Sequence, residues 1–287
     1  NCFTQKGDKV MIQPPVYHPF AWVTTRNERT LVTNPLKWEN GMYRMDLDTF
    51  REQIKGCKLF ILCNPHNPGG VVWTEAELRA IADICYDEKV LVFSDEIHAD
   101  LTLPPHTHRP FATVSEKARM NSVTFMSPSK AFNMPGLSAS HALIFNEDLR
   151  KRFRIYMDAG ELDMGHVFAF LSVEAAYSHG TEWLDQCLAY IQGNIDFVDD
   201  FLKNHAPKIK AIRPEASYLV WLDCRELELS QKDLNEFFVD KAHLALNDGE
   251  MFGKEGIGFM RLNVASPRCI IEKAMKQLAD AYQLYIK

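Results

Sequence analysis

Short apolar runs alternate with helical patterns over the first half of the chain, and this alternation constrains the fold more than any other feature. KVMIQ is followed by the helix-like HPFAWVTTR, and KLFILCN by a helical pattern over residues 74–88. VLVFSDE, SVTFMS and HALIFN come before about Asn146. Such alternation is typical of an α/β protein whose mostly parallel sheet is covered by helices on both faces. We therefore predict this α/β fold.

The pattern becomes mainly helical after Asn146 and then mixed. Helices are predicted over residues 167–177, 182–204, 231–243 and 270–286, with strands at SYLVWLD and GFMRLNVA. These elements predict a smaller C-terminal α+β domain. We place a large domain at residues 1–180, and a long connecting helix with the small domain at residues 181–287.

Composition excludes several classes of partner. The 287-residue chain has a formal net charge of −6, which gives no basic face for nucleic acid. No apolar run approaches the roughly 20 residues of a membrane span. The seven cysteines are an odd number without a C-x-x-C pair, a pattern typical of reduced thiols. We expect a cytoplasmic protein that acts on a small molecule, without a nucleic-acid partner, a membrane partner or a metal site.

A lysine stands in an unusual setting in MSPSKAFNMPGLSASHA, where small and aromatic residues that favour burial surround Lys130. The preceding SVTFM predicts a buried strand, so Lys130 lies on the turn after the strand's end, where α/β proteins hold their ligands. Ser127, three residues earlier, can offer a hydroxyl to an anion. The alternative is an ordinary solvated loop lysine.

Polar side chains follow two more apolar strands. CNPHNPGG places Asn67 on a turn fixed by prolines and glycines, and FSDEIHADL places Asp95 directly after a strand, with His98 three residues later. The ends of parallel strands line one crevice, so these groups and Lys130 are expected to converge. The alternatives are turn chemistry alone for Asn67, a helix cap for Asp95 and a structural role for His98.

An arginine interrupts another apolar strand, GFMRLNVA, at Arg261. A buried arginine needs a carboxylate partner. An internal salt bridge is one source of that partner. The functional interpretation is a substrate carboxylate bound through two parallel hydrogen bonds from the guanidinium.

These residues together match the needs of pyridoxal 5′-phosphate, which requires a lysine for its Schiff base, an acid at its pyridine nitrogen and a donor to its phenolic oxygen. The sequence resembles the fold-type I pyridoxal-phosphate enzymes of the class I/II aminotransferase group. It resembles more closely their aminotransferase-like cystathionine β-lyase branch. The similarity runs from PPVYHPF to GFMRLNVASPR, with the motifs in the same order.

The resemblance implies a role for each residue of the cofactor site. Lys130 corresponds to the Schiff-base lysine and Asp95 to the partner of the pyridinium nitrogen. Asn67 corresponds to the residue that meets the 3′-oxygen, and Ser127 contributes to the phosphate site. Tyr17, in PPVYHPF, occupies the position whose aromatic ring lies over the cofactor.

Two departures from the aminotransferase pattern favour the lyase branch. Aminotransferases usually carry tyrosine where this chain has His98, a cofactor-site position, and often carry arginine where it has Ser138. Arg261 corresponds to the arginine that binds the substrate α-carboxylate. The resemblance thus implies a carbon–sulfur β-lyase that cleaves L-cystathionine or related cysteine S-conjugates to thiol, pyruvate and ammonia. An aminotransferase is one alternative, and a non-catalytic binding or regulatory module with this fold is another.

The resemblance also bears on assembly and on the extent of the chain. Family members are homodimers whose sites borrow residues across the interface, so a homodimer is expected. The family's glycine-containing phosphate loop precedes the position of Tyr17 by tens of residues, and this sequence does not contain it. We therefore expect the chain to lack the family's N-terminal segment, and its cofactor site and activity to be affected.

Overall fold

Strands and helices alternate along the first part of the chain in the computed structural model, which describes residues 1–285. The elements of this part are β1 (Lys9–Ile12), α1 (Pro19–Arg26), β2 (Thr30–Thr33), β3 (Lys37–Glu39), β4 (Met42–Arg44), α2 (Leu47–Gln53), β5 (Cys57–Cys63), α3 (Glu75–Asp87), β6 (Leu91–Asp95), α4 (Glu116–Met120), β7 (Ser122–Met126), α5 (Pro128–Ala131), β8 (His141–Leu143) and α6 (Glu147–Ala159). The remaining elements are α7 (Val167–His179), α8 (Thr181–His205), β9 (Lys210–Ile212), β10 (Leu219–Asp223), α9 (Gln231–Glu236), β11 (Asn247–Asp248), β12 (Phe259–Asn263) and α10 (Arg268–Tyr285).

The main sheet has six strands in the order β2-β1-β5-β6-β7-β8. All of its pairs are parallel except β7 with β8, which is antiparallel. Helices such as α3 connect the parallel strands, as the crossover between parallel neighbours requires. The predicted α/β fold with a mostly parallel sheet is confirmed.

The C-terminal part is built on an antiparallel sheet in the order β11-β12-β10-β9. Helices α8 and α10 pack together and form an apolar core with this sheet, in which Val198, Val220 and Met275 are fully buried. The predicted smaller α+β part is therefore confirmed, while the division at residues 180 and 181 stays a prediction. The described helices include none with the length and apolar character to cross a membrane.

Helix α3 illustrates how local sequence fixes an element. The Thr74 hydroxyl accepts a hydrogen bond from the Glu77 N–H, and the Glu77 carboxylate accepts one from the Thr74 N–H at 2.8 Å. This capping box satisfies two backbone donors that the first helical turn leaves without partners. Leu78 and Ile81 are fully buried on the stripe that faces the core. The helix predicted over residues 74–88 is confirmed.

The helix predicted over residues 231–243 differs from the structure. α9 ends at Glu236, and a π-helical turn follows over Phe237–Lys241. This turn is wider than an α-helical turn by about one residue. Its first two residues, Phe237 and Phe238, are both buried. The last predicted helix is found as α10, and Ile286, its predicted final residue, lies outside the described residues.

Contacts with the segment between β9 and β10 fix the loop that follows β5. The backbone of Gly70 has φ +68° and lies against Pro214, which precedes β10. A Cβ on Gly70 would lie 2.5 Å from the Cβ of Pro214. The Val72 N–H also donates to the Glu215 carboxylate at 2.8 Å. Glycine is required at residue 70 by both the left-handed backbone and the close approach.

Replacing Gly70 by alanine should therefore destabilise the protein by about 2–4 kcal/mol, since left-handed strain and overpacking add. Urea unfolding measures the change. The matched control is Gly136→Ala, at a position with no heavy atom within 4 Å of the added methyl. That control should stay within about 0.5 kcal/mol of the parent protein. Equal effects of the two substitutions would contradict the assigned role of Gly70.

Candidate active site

Four neighbouring parallel strands carry the first group of predicted site residues. Tyr17 follows β1, Asn67 follows β5, Asp95 ends β6 and Lys130 follows β7 within α5. These strands are adjacent in the sheet, and their carboxyl ends meet at one edge, as the register of Cys63 opposite Asp95 illustrates. This topology brings residues from separate segments of the chain to one crevice.

A cavity of about 160 Å³ lies at this edge. Six of the seven predicted site residues line it, and they are Tyr17, Asn67, Asp95, His98, Lys130 and Arg261. The first five come from the main sheet and its loops, and Arg261 comes from β12 of the C-terminal sheet. The cavity is therefore built from both parts of the protein.

Ser127 is the seventh predicted residue, and it does not line this cavity. Its buried hydroxyl caps α5, accepting a hydrogen bond from the Ser129 N–H at 3.1 Å. The hydroxyl donates its proton to the Ala139 carbonyl oxygen at 2.5 Å. In this structure Ser127 positions the turn that carries Lys130, and its predicted place in a phosphate site stays a prediction.

Asp95 is a largely buried carboxylate with one weak hydrogen bond, from the Ile97 N–H at 3.3 Å. Burial raises the pKa of Asp95 to about 6, with a smaller upward contribution from Glu96. The Ile97 N–H and the charge of Lys130 act in the opposite direction. The energetic cost of ionising Asp95 in this position is what a cationic partner in the cavity would remove.

His98 is neutral in this environment. Its side chain is buried, and burial together with the positive charges of Lys130 and Arg261 lowers its pKa to about 3. The Nδ1 atom has no hydrogen-bond partner among residues 1–285. His98 therefore contributes an uncharged imidazole to the cavity wall across the working pH range of most enzymes.

Lys130 lies in the wall of the cavity without an ion-pair partner among residues 1–285. Lysines elsewhere on the protein, such as Lys117 and Lys203, pair with surface carboxylates. An amine that is not held by a carboxylate can act on a bound molecule as a nucleophile or a base.

Arg261 reaches the cavity from the C-terminal sheet. One terminal nitrogen donates to the Asn67 side-chain oxygen at 2.8 Å, and the other to the Asn247 oxygen at 2.7 Å. Its guanidinium also lies over the Phe252 ring, 4.7 Å from the centroid. Within the described chain its partners are neutral, so the internal salt bridge considered above is not formed. The positive charge of Arg261 is thus available to an anion.

Five other residues line the cavity and were not singled out from the sequence, namely Cys63, Ile97, Tyr218, Leu219 and Asn263. Two of them carry a signal in the sequence. Asn263 follows Arg261 by two residues in β12, so the strand's alternation places both on one face. Cys63 is the last residue of β5, directly opposite Asp95.

Residues 1–285 contain no cluster of His, Cys, Asp and Glu that could hold a metal ion.

Comparison with known proteins agrees with this architecture. The family profile for aminotransferase class I and II matches residues 1–278. Cystathionine beta-lyase PatB of Bacillus subtilis is 38% identical over 281 residues, which cover 97% of this chain and 73% of PatB. Aspartate aminotransferase of the same organism is 24% identical, covering 94% of this chain and 69% of that protein. The solved structure of cystalysin from Treponema denticola, which contains a pyridoxal 5′-phosphate cofactor, superposes with a TM-score of 0.96 at 36% identity, covering 99% of this chain and 73% of cystalysin.

The raised pKa of Asp95 predicts that the ligand-free protein loses stability as the pH rises from about 4 to about 6, where the folded state must ionise this buried group. Asp95→Asn removes that penalty. At pH 8 the ligand-free variant should be more stable than the parent by roughly 2 kcal/mol, since Asp95 faces an open cavity and solvent screening reduces the full value of a two-unit shift. The difference should vanish near pH 4.

Urea unfolding of both ligand-free proteins at pH 4 and pH 8 measures this effect. Asp240→Asn is the matched control, because Asp240 is exposed and the same substitution there should change stability by less than about 0.5 kcal/mol. A destabilised Asp95→Asn variant at pH 8 would mean that Asp95 makes a favourable ion pair or cap in the folded protein.

Proposed function

Because the chain belongs to the aminotransferase class I and II family, we propose that it is a pyridoxal 5′-phosphate-dependent carbon–sulfur β-lyase. Its substrate class would be L-cystathionine or related cysteine S-conjugates, and its products a thiol, pyruvate and ammonia. The observation that carries the proposal is the convergence of Lys130, Asp95 and Arg261 on one cavity. The 38% identity to a cystathionine beta-lyase, against 24% to an aspartate aminotransferase, supports the lyase reaction.

The residues present fit pyridoxal 5′-phosphate. Asp95 is a largely buried carboxylate without a cationic side chain in contact, which suits a protonated ring nitrogen. The side-chain nitrogen of Asn67 makes no hydrogen bond within residues 1–285 and can donate to a phenolic oxygen. Lys130 can form the covalent attachment, while Tyr17 and His98 offer flat rings at the cavity wall.

The cofactor supplies an electron-withdrawing ring that stabilises negative charge at the substrate Cα. Once the substrate's amino group has taken the place of Lys130 on the cofactor, the freed Lys130 Nζ would remove the proton from Cα, and the pair of electrons left there would allow the Cβ–S bond to break. The sulfur departs with that bond's electrons and takes a proton to become the thiol. Asp95, ionised, would accept a hydrogen bond from the ring nitrogen and so keep that nitrogen protonated. Water completes the conversion of the remaining fragment to pyruvate and ammonia.

Arg261 orients the substrate for this proton transfer. Its guanidinium donates two parallel hydrogen bonds to the α-carboxylate, a geometry that a point charge cannot reproduce. The bond to Asn67 and the stack on Phe252 hold the guanidinium in place before substrate arrives. A pre-positioned group loses little conformational entropy on binding.

We also propose that the protein is a homodimer in the cytoplasm. An apolar surface lies on α6, α7 and their connection, and we call it the α6–α7 patch. Each of its side chains is more than half exposed: Ile155, Leu162, Met164, Val167, Phe168, Phe170 and Leu171. A contiguous apolar surface of this kind is typical of a protein–protein interface, and we propose that a second copy of the chain covers it. A solution mass of 32.9 kDa by light scattering would contradict the dimer.

The proposed cytoplasmic location is supported by the cysteines. Those of residues 1–285 are all free thiols, which a reducing compartment favours.

The reaction type is tested with L-cystathionine in the presence of 2-oxoglutarate. Pyruvate should form faster than glutamate. Lys130→Ala should lower both rates by about a hundredfold or more, because it removes the base. Lys117→Ala is the control, since Lys117 pairs with Asp83 and Asp87 on the surface. Glutamate outpacing pyruvate would overturn the lyase proposal in favour of an aminotransferase.

Arg261→Lys should raise the apparent KM for the amino acid about tenfold or more while the cofactor stays bound, because the two parallel hydrogen bonds are lost. Arg225→Lys makes the same change in the same part of the protein, at an arginine paired with Asp223 outside the cavity, and should leave KM near its original value. Loss of the cofactor's visible absorbance in Arg261→Lys, with substrate affinity intact, would assign Arg261 to the cofactor or the fold.

A further inference from the structure

A second cavity, of about 310 Å³, adjoins the candidate active site, and we call it the side cavity. Lys130, Tyr218 and Asn263 line both cavities, so the two meet at these residues. Helix α8 contributes Trp183, Cys187, Tyr190 and Ile191 to its wall, and most of the other residues come from the turn around α5 and from the segment after β12. Its volume is at the lower end of the range for small-molecule sites.

The aromatic walls of the side cavity are held in place. The Trp183 ring stacks on Phe132, with centroids 6.0 Å apart and planes 27° from parallel. Phe132 lies two residues after Lys130 in the same turn. On the other side, the Arg268 N–H donates to the Tyr190 hydroxyl at 2.6 Å. The cavity is therefore pre-formed, and an occupant would not have to order its walls.

The lining of the side cavity is electrically neutral apart from Lys130 at the junction. Among the described residues, it contains no carboxylate and no other cationic side chain. Arg268, which lies close by, uses its side chain to bond Asn194 at 2.7 Å and to cover the Phe197 ring. Burial raises the pKa of Tyr218, and the smaller opposing contribution of Arg261 leaves a net increase, so the phenol is neutral.

We propose that the side cavity binds the leaving-group half of the substrate, and that the preferred leaving group is an uncharged aromatic or bulky apolar thiol. The inference rests on the proposed lyase function, because it identifies the substrate class of that same site. With the α-carboxylate at Arg261 and Cα within reach of Lys130, a substituent on Cβ has the side cavity as its neighbouring space.

Charge decides between this class and cystathionine. The leaving half of cystathionine is homocysteine, which carries an ammonium and a carboxylate. The lining offers no carboxylate to that ammonium and, apart from Lys130 at the junction, no cation to that carboxylate. Charged groups without partners lose hydration on entering such a space, whereas an aromatic ring gains free energy from leaving water. The surfaces of Trp183, Tyr190 and Tyr218 suit edge or stacking contacts with that ring.

The test compares S-benzyl-L-cysteine with L-cystathionine. The protein loaded with pyridoxal 5′-phosphate should release pyruvate from S-benzyl-L-cysteine with a kcat/KM at least about tenfold higher, the gain expected from burying most of one aromatic ring. Affinity is measured separately by calorimetry in Lys130→Ala, where turnover is blocked. S-benzyl-L-cysteine should again bind at least about tenfold more tightly.

The matched variants are Cys187→Phe and Cys269→Phe. Cys187 lines the side cavity, so its replacement fills the space and should reduce the preference for S-benzyl-L-cysteine over S-methyl-L-cysteine about tenfold. Cys269 is exposed at the start of α10, and the same substitution there should leave the preference as it was. For each variant, the preference is the ratio of kcat/KM for the two substrates measured on the same protein sample. Differences in cofactor content between variants therefore cancel.

Two results would overturn the side-cavity assignment. One is equal or tighter binding of L-cystathionine, and the other is an equal effect of Cys187→Phe on large and small substrates. Failure of the lyase proposal has a different signature. If the protein forms no pyruvate from any of these compounds but Lys130→Ala still prefers S-benzyl-L-cysteine, the reaction type is wrong and the cavity assignment stands.

Discussion

The cost of keeping the Asp95 carboxylate out of water organises the candidate active site. Asp95 and Glu96 are consecutive residues at the end of β6, yet their surroundings are opposite. Glu96 is buried and accepts hydrogen bonds from the Ser94 hydroxyl, from the Phe111 N–H and from His108 at 2.8 Å. Asp95 accepts one weak bond. The protein thus provides three hydrogen-bond donors for Glu96 and only one for Asp95. Ionised Asp95 is therefore energetically unfavourable, and it lies where a cation can bind.

The lysine turn is held from two directions. Ser127 caps α5 and bonds the Ala139 carbonyl oxygen, which closes the loop after Lys130. Phe132 packs between Tyr177 of α7 and Trp183 of α8, where the absence of a side chain at Gly180 makes room for its ring. The contact between Phe132 and Trp183 therefore links the turn that carries Lys130 to a wall of the side cavity. Replacing Trp183 would therefore alter the position of Lys130 as well as the shape of the side cavity.

Much of the fold follows from local sequence, and the site follows from topology. The apolar runs of β5, β6 and β7 and the capping box of α3 are readable because each lies within one short segment. Once the strands are known to be parallel and adjacent, the convergence of Asn67, Asp95 and Lys130 needs no further information.

What could not be read depends on contacts between distant segments. β11 has two residues and β3 has three, lengths at which no period can be recognised. Tyr218 precedes β10 and joins the cavity only because the C-terminal sheet packs against the loop after β5. The neutral lining of the side cavity likewise combines α8 with residues near β12 and α5. Ser127 illustrates the converse, since a hydroxyl that looks available in the sequence is used by its own helix.

The two adjoining cavities differ in charge, so a ligand that fills both would have to be oriented with its charged end towards Arg261. Arg261, whose guanidinium has neutral partners within the described chain, lies at the charged end, and the opposite end is a pre-formed space whose lining carries no charge apart from Lys130 at the junction. Lys130 lies at their junction, so in the proposed reaction the carbon that it deprotonates would separate a charged head from an uncharged tail. An amino group transfer needs nothing from the tail. A β-elimination depends on the tail, because the departing sulfur carries it away. A cavity that binds the tail therefore favours cleavage of the Cβ–S bond.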